Sequence, residues 1–144
     1  MSVVKNKRSQ SKVEFEALFF AFADNIDNLV SHCFYAEPNL IDSNRWFIDA
    51  RCQTLERLSD DLLYHIKIAN SIYPTNLMEY EERRLNMNKA IGICFAILTN
   101  LQRIMLRLRV PDDKYVDYIK VINHMINSLK MWRKSDNKLK TRFK

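Results

Sequence analysis

Glycine occurs once and proline three times in this 144-residue chain, against ordinary usage of roughly 7% and 5%. Both residues are the common material of β-turns and hairpins, so their scarcity excludes a fold of many short strands and leaves long helices with few connections. A glycine-rich phosphate loop is excluded by the same count, because Gly92 stands alone. Cysteine is nearly as sparse: Cys33, Cys52 and Cys94 are odd in number and never closer than 19 residues, which leaves neither a disulfide framework nor a CxxC knuckle. They read as reduced thiols acting as small hydrophobes. The opening residues, MSVVKNKRSQSK, are basic but lack the apolar run of a leader. No later stretch approaches the roughly 18 uncharged apolar residues of a membrane span. A cytoplasmic location is the expectation.

Catalytic and metal patterns are also missing. The histidines His32, His65 and His124 are scattered, and no Glu-x-x-His pair of the di-iron bundles occurs. Asp61 and His65 form the one carboxylate and imidazole pair at i, i+4, for which a surface ion pair is the plain reading. No Arg precedes a His at the spacing of a helical-bundle ribonuclease. The chain is therefore expected to be no enzyme, with no catalytic residues, no cofactor and no metal.

What is present is helix periodicity and unevenly placed charge. Pro38, Pro74 and Pro111 divide the chain into four segments, each with apolar residues at three- and four-residue steps. The first runs from Val13 to about Tyr35, carrying Phe15, Leu18, Phe19, Phe22, Ile26, Leu29, Val30 and Cys33 on one face. The second follows a cap at Asp42 or Ser43 and reaches about Ser71, burying Phe47, Ala50, Leu55, Leu58, Leu62, Ile66 and Ala69. The third opens at Asn76, with Glu79 placed to complete a capping box, and continues to about Arg109. The fourth follows Pro111, with Tyr115, Tyr118, Ile119, Ile122, Met125, Ile126, Leu129 and Trp132 inward. The predicted fold is all-α, an up-down-up-down four-helix bundle over 13–137, with a flexible basic N-terminal arm over 1–12 and a basic tail over 138–144.

Residues 129–144, LKMWRKSDNKLKTRFK, hold seven Lys or Arg against one Asp, a local excess equal to the +6 net charge of the whole chain. Lys5, Lys7, Arg8 and Lys12 make the other end basic, and the body between is mildly acidic. Basic ends on an acidic body suit contact with a polyanion. On the fourth helix Lys120, Asn123, Asn127, Lys130 and Lys134, joined by Lys138, lie within about 80° of one another, with no acid among them. Lys and Asn at one-turn spacing offer donors to phosphate oxygens. The candidate nucleic-acid-binding residues are Lys120, Asn127, Lys130, Arg133, Lys134, Lys138, Lys140 and Arg142. Ser135, Asp136 and Asn137 are poor interior residues and predict the helix stop, with Trp132 as the last buried knob. The third helix is apolar over about two-thirds of its girth, which fits either a central helix with several neighbours or an oligomer interface; the interface is expected at Ile91, Ile93, Phe95, Ile97 and Ile104. The same helix holds Gly92, expected to permit close helix approach.

From Arg83 to Asn137 the sequence RRLNMNKAIGICFAILTNLQRIMLRLRVPDDKYVDYIKVINHMINSLKMWRKSDN has three further marks: Lys89-Ala90 opens an apolar helix, Lys114-Tyr115 opens the next, and Trp132 closes it before a basic end. It resembles the small four-helix-bundle family that includes the accessory variability determinant of diversity-generating retroelements and the ribosomal RNA intervening-sequence proteins. The resemblance covers 55 of 144 residues, and the first half matches only in helix number and length. It implies a homopentameric barrel and, for the retroelement members, a highly basic protein that binds nucleic acid and works with a reverse transcriptase during mutagenic copying of a template RNA. The acidic body is a departure from a wholly basic barrel. The expected function is a non-enzymatic accessory protein that binds RNA or an RNA-DNA hybrid and scaffolds a reverse transcriptase. The alternative is a protein-interaction helical bundle with no nucleic-acid role.

Overall fold

The structure, a computed structural model, describes the backbone of residues 2–143 and the side chains of residues 15–143. Among the described residues it is all-α, with five helices and no strand. These are α1 (Ser2–Ser31), α2 (Pro38–Ser43), α3 (Arg45–Ser71), α4 (Leu77–Leu108) and α5 (Val116–Lys140). The four long helices meet in a ring: α3 packs on α4, α4 on α5, and α1 on both α3 and α5. Phe19, Phe22, Ile26 and Leu29 of α1, Leu55, Leu62 and Ile66 of α3, Ala90, Cys94, Ile97, Leu101 and Ile104 of α4, and Ile122, Met125 and Leu129 of α5 share one core. Each set keeps the three- and four-residue steps that put side chains on one helix face.

Helix boundaries differ from expectation in ways the local chemistry explains. α1 begins at Ser2 and not at Val13, because 2–12 contains no glycine or proline to stop it and Lys, Arg and Gln are good helix formers. The basic arm expected over 1–12 thus continues α1 in its backbone; its side chains, Lys5, Lys7, Arg8 and Lys12, lie outside the described residues, as does Lys144. Between α2 and α3 neither Asp42 nor Ser43 caps. The Ser43 hydroxyl donates back to Asn39 O at 2.9 Å, and α3 starts after Asn44, whose side chain donates to Leu40 O at 2.8 Å. The start of α4 is as predicted: Asn76 Oδ1 accepts from Glu79 N–H at 2.9 Å. In return Glu79 accepts from Asn76 Nδ2 at 2.9 Å and Thr75 N–H at 3.2 Å, and the bonds from Thr75 hold its carboxyl below the usual range.

α1 stops at Ser31, short of the expected Tyr35, because three residues turn left-handed: Cys33, Phe34 and Tyr35 have φ of 50°, 61° and 60°. For residues with a Cβ this costs roughly 1–2 kcal/mol each. The turn is held by the burial of Phe34, fully covered by the core and worth roughly 1.5–3 kcal/mol. A second hold is a buried hydrogen bond in which Tyr115 Oη donates to Phe34 O at 2.7 Å. Burial pushes the Tyr115 phenol up, with the nearby Tyr118 and Tyr35 adding to it, so it remains a donor. Tyr115→Phe should therefore lower stability by about 1–3 kcal/mol, since it leaves the Phe34 carbonyl buried without its donor. Urea denaturation of the two proteins checks this.

Candidate nucleic-acid interface

The inward stripe of α5 does not end at Trp132. Asp136 lies seven residues after Leu129 and four after Trp132, so the helix turns its carboxylate toward α4 and away from water. There Arg83 meets it with both arms of its guanidinium, Nε donating to Oδ2 at 2.6 Å and Nη2 to Oδ1 at 3.1 Å. The Arg83 and Asp136 side chains are 13% and 8% exposed. The third nitrogen of Arg83 donates to Ile72 O at 2.9 Å, just past the end of α3. The Arg83 plane sits 5.0 Å from the Trp132 ring centroid, and Trp132 meets Phe15 of α1 edge-on at 5.0 Å. One guanidinium thereby ties together the start of α4, the end of α3 and the end of α5, with α1 on the far side of the tryptophan. Desolvating both ions costs several kcal/mol each. Bidentate geometry and the extra carbonyl bond offset that cost, so losing one partner alone would destabilise by about 3–5 kcal/mol.

The helix does not stop where Ser135, Asp136 and Asn137 predict. Ser135, Asp136 and Asn137 remain helical, and α5 runs to Lys140 with one further turn over Thr141–Phe143. Each polar residue has a partner that removes its reason to break the helix: the Ser135 hydroxyl donates to Trp132 O at 2.8 Å, and Asn137 Oδ1 accepts from Arg84 at 2.7 Å. Trp132 is partly buried and forms the cover over Arg83, where a fully enclosed knob was expected.

With Asp136 neutralised inside, the outer face of α5 carries cations only from Asn123 onward, the exposed Asp117 standing in its first turn. Lys120, Asn127, Lys130, Lys134, Lys138, Lys140 and Arg142 are all exposed, and none of these cations is ion-paired among the described residues. Arg133 departs from this set: it is partly buried and donates to Asn88 Oδ1 of α4 at 2.9 Å. Lys130 lies over the Phe95 ring at 5.7 Å, where the basic face of α5 borders α4.

The predicted oligomer residues separate. Ile97 and Ile104 are fully buried and Ile91 is 7% exposed, because α4 shares its girth between α3 and α5; these three belong to the chain's own core and are not available to a second copy. Ile93 is partly buried, and Phe95 is 46% exposed. The outward apolar groups of α4 are instead Leu77, Met78, Leu85, Phe95 and Leu106. Met78, Leu85, Gly92, Thr99 and Leu106 are spaced by seven, and a Cβ placed on Gly92 would meet nothing within 4 Å, so the glycine serves no close approach inside the chain. Against the sequence expectation, α4 is by length and composition apolar enough to cross a membrane, and 33% of its most apolar 18-residue window is buried.

At the other end of α4 lies a cluster that the sequence reading did not foresee. Arg51 donates to Asn100 Oδ1, which gives the buried Asn100 side chain a partner. Arg51, Arg103 and Arg107 stand 5.6, 5.7 and 5.2 Å from the centroid of the Phe47 ring. Arg107 also lies 4.8 Å from the Trp46 ring and donates to Asn44 Oδ1 at 3.1 Å. Burial, then the charge of Arg103, pushes the Arg51 guanidinium down. The available signal was Arg103 and Arg107 at i, i+4 on a helix antiparallel to one bearing Trp46-Phe47.

The candidate imidazole and carboxylate pair is not formed. His65 Nδ1 lies 2.8 Å from Asn86 Oδ1, and Asn86 Nδ2 donates to Glu82 O at 2.9 Å, while Asp61 is exposed. Among the described residues no three His, Cys, Asp or Glu side chains are grouped to hold a metal ion. Comparison with family models, curated proteins and solved structures gives no match for this chain.

A second carboxylate, Glu56, is out of its ordinary range, on the high side. Burial, a hydrogen bond with Asp27 and the charges of Asp27 and Asp60 raise Glu56 to about 7, so the folded chain holds this proton more tightly than the unfolded chain does. The stability it contributes is present below the ordinary glutamate value of about 4.3 and is lost as pH rises through about 7. The melting temperature should fall over that window, and Glu56→Gln should flatten the fall and raise the value at pH 8; thermal melts across pH measure both.

Proposed function

We propose that the chain is a non-enzymatic accessory protein that binds RNA or an RNA-DNA hybrid along the outer face of α5. The carrying observation is the lysine stripe itself: Lys120, Lys130, Lys134 and Lys138 point outward, Asn123 and Asn127 lie between them, Asp136 is turned inward onto Arg83, and the exposed acid of α5, Asp117, stands in its first turn. Lysines at one-turn spacing on a helix would track successive phosphates, and such contacts position a nucleic acid without reading its sequence. The four long helices act as a four-helix bundle, and several copies, a pentamer by resemblance, would cover the outward Met78, Leu85, Phe95 and Leu106 of α4. By the same resemblance the scaffold partner is the reverse transcriptase of a diversity-generating retroelement, with its template RNA, in the cytoplasm. The exposed α4 face also favours the competing reading, a protein-interaction bundle with no nucleic-acid role.

Titration of a structured RNA hairpin across a salt series tests the reading. Each duplex phosphate contact contributes about −0.9 to the slope of log affinity against log salt. Replacing Lys120, Lys130, Lys134 and Lys138 by Gln should flatten that slope by roughly 3.5 units, with helicity and sedimentation unchanged. Arg133 is left intact because it bonds Asn88. An unchanged slope in the folded variant, or absence of binding, contradicts the proposal.

A further inference from the structure

The arginines around Phe47 have no carboxylate to answer them. None of Arg51, Arg103 and Arg107 is in an ion pair among the described residues, and Asp42, close in sequence, faces Arg45 at 3.8 Å. Three cations against one ring repel one another, and a ring quadrupole does not neutralise them. At their base the Arg51 Nε is buried with no hydrogen-bond partner, an unmet donor of the kind that usually marks a missing acceptor. Beside them Trp46 is 63% exposed. Arg107 lies against its ring, which leaves most of the indole open to stack on a second flat group. Phe47, Arg103, Leu106 and Arg107 line a hollow of about 350 Å³ between these groups. The cluster lies about 30 Å along α4 from Arg83, taking 1.5 Å per residue over the twenty positions to Arg103, so it is separate from the end of α5.

We propose that this cluster is a second binding site, for a nucleotide unit, with phosphate oxygens on Arg103 and Arg107 and a heteroaromatic base stacked on Trp46. Guanidinium groups supply paired donors to phosphate oxygens, and an indole with an adjacent guanidinium is a platform for a base of any sequence. As a contact for a strand the site rests on the nucleic-acid function proposed above; as a site for a free nucleotide it does not.

The test uses the full chain and its tryptophan emission, with Trp46→Phe separating Trp46 from Trp132. The probes are a fluorescein-labelled ten-nucleotide oligouridylate, uridine monophosphate and the structured RNA hairpin. Oligouridylate should quench the wild-type emission and leave Trp46→Phe unaffected. Arg103→Gln, which removes an exposed side chain with no hydrogen bond among the described residues, should weaken oligouridylate binding by about tenfold with an unchanged circular dichroism spectrum. The α5 lysine variant should retain the Trp46-dependent quench. Quenching by uridine monophosphate at similar concentration assigns the site to free nucleotides; quenching by the oligomer alone assigns it to a strand. If the hairpin binds but neither Trp46 nor Arg103 affects any probe, the second site is refuted and the α5 interface stands. If only uridine monophosphate quenches and neither RNA binds, the site stands and the nucleic-acid function falls.

Discussion

The architecture of the basic end depends on the buried pairing of Arg83 with Asp136. A carboxylate with six cations close to it in sequence, from Lys130 to Arg142, would ordinarily be solvated among them, and the helix would end there. Placed in phase with Leu129 and Trp132, it faces α4 instead, where a low-dielectric setting makes an unpaired charge very costly and a bidentate partner necessary. Arg83 provides that partner and also satisfies a carbonyl past the end of α3. The four long helices are thus brought into contact at one end through a single polar group and the tryptophan that covers it.

Charge sorting follows from this geometry. Neutralising Asp136 inside leaves the outward strip of α5 beyond its first turn with cations only, and at physiological salt a charge is felt over about 8 Å, so neighbouring lysines one turn apart act together. The other end of α4 follows a different rule: Arg103 and Arg107 are gathered on aromatic rings instead of being spread along a helix. A stripe of lysines is a set of strongly hydrated point charges, whereas clustered arginines on indole and phenyl faces favour planar, bidentate ligands. The two ends therefore differ in the kind of anion each would hold.

Much of the helical framework was legible from sequence because it depends on one-dimensional signals: the apolar periodicity, the three prolines and the Asn76-Glu79 box each act within a few residues. What was missed depends on a partner far along the chain. Ser135 to Asn137 read as a stop because propensity counts each residue alone, while their neighbours Arg83 and Arg84 lie some fifty positions earlier. Cys33 to Tyr35 read as helix because nothing local announces a left-handed turn without glycine; the cause is the buried Phe34 and its bond from Tyr115. Ile97 and Ile104 read as interface because a sequence does not reveal how many neighbours a central helix has. The exposed face of α5 was legible, since a stripe of Lys and Asn is itself periodic, but Arg133 was placed there without the Asn88 that draws it aside.

The most direct test of this account is backbone hydrogen exchange across residues 122–140, because its central claim is that the basic end is a docked helix held by Asp136. Amides from Lys130 to Leu139 should be protected to nearly the same degree as those from Ile122 to Leu129, and in Asp136→Ala protection should be lost from Trp132 onward while the earlier turns keep theirs. Rapid exchange from Ser135 onward in the unaltered protein, or an Asp136→Ala profile identical to it, would contradict the account.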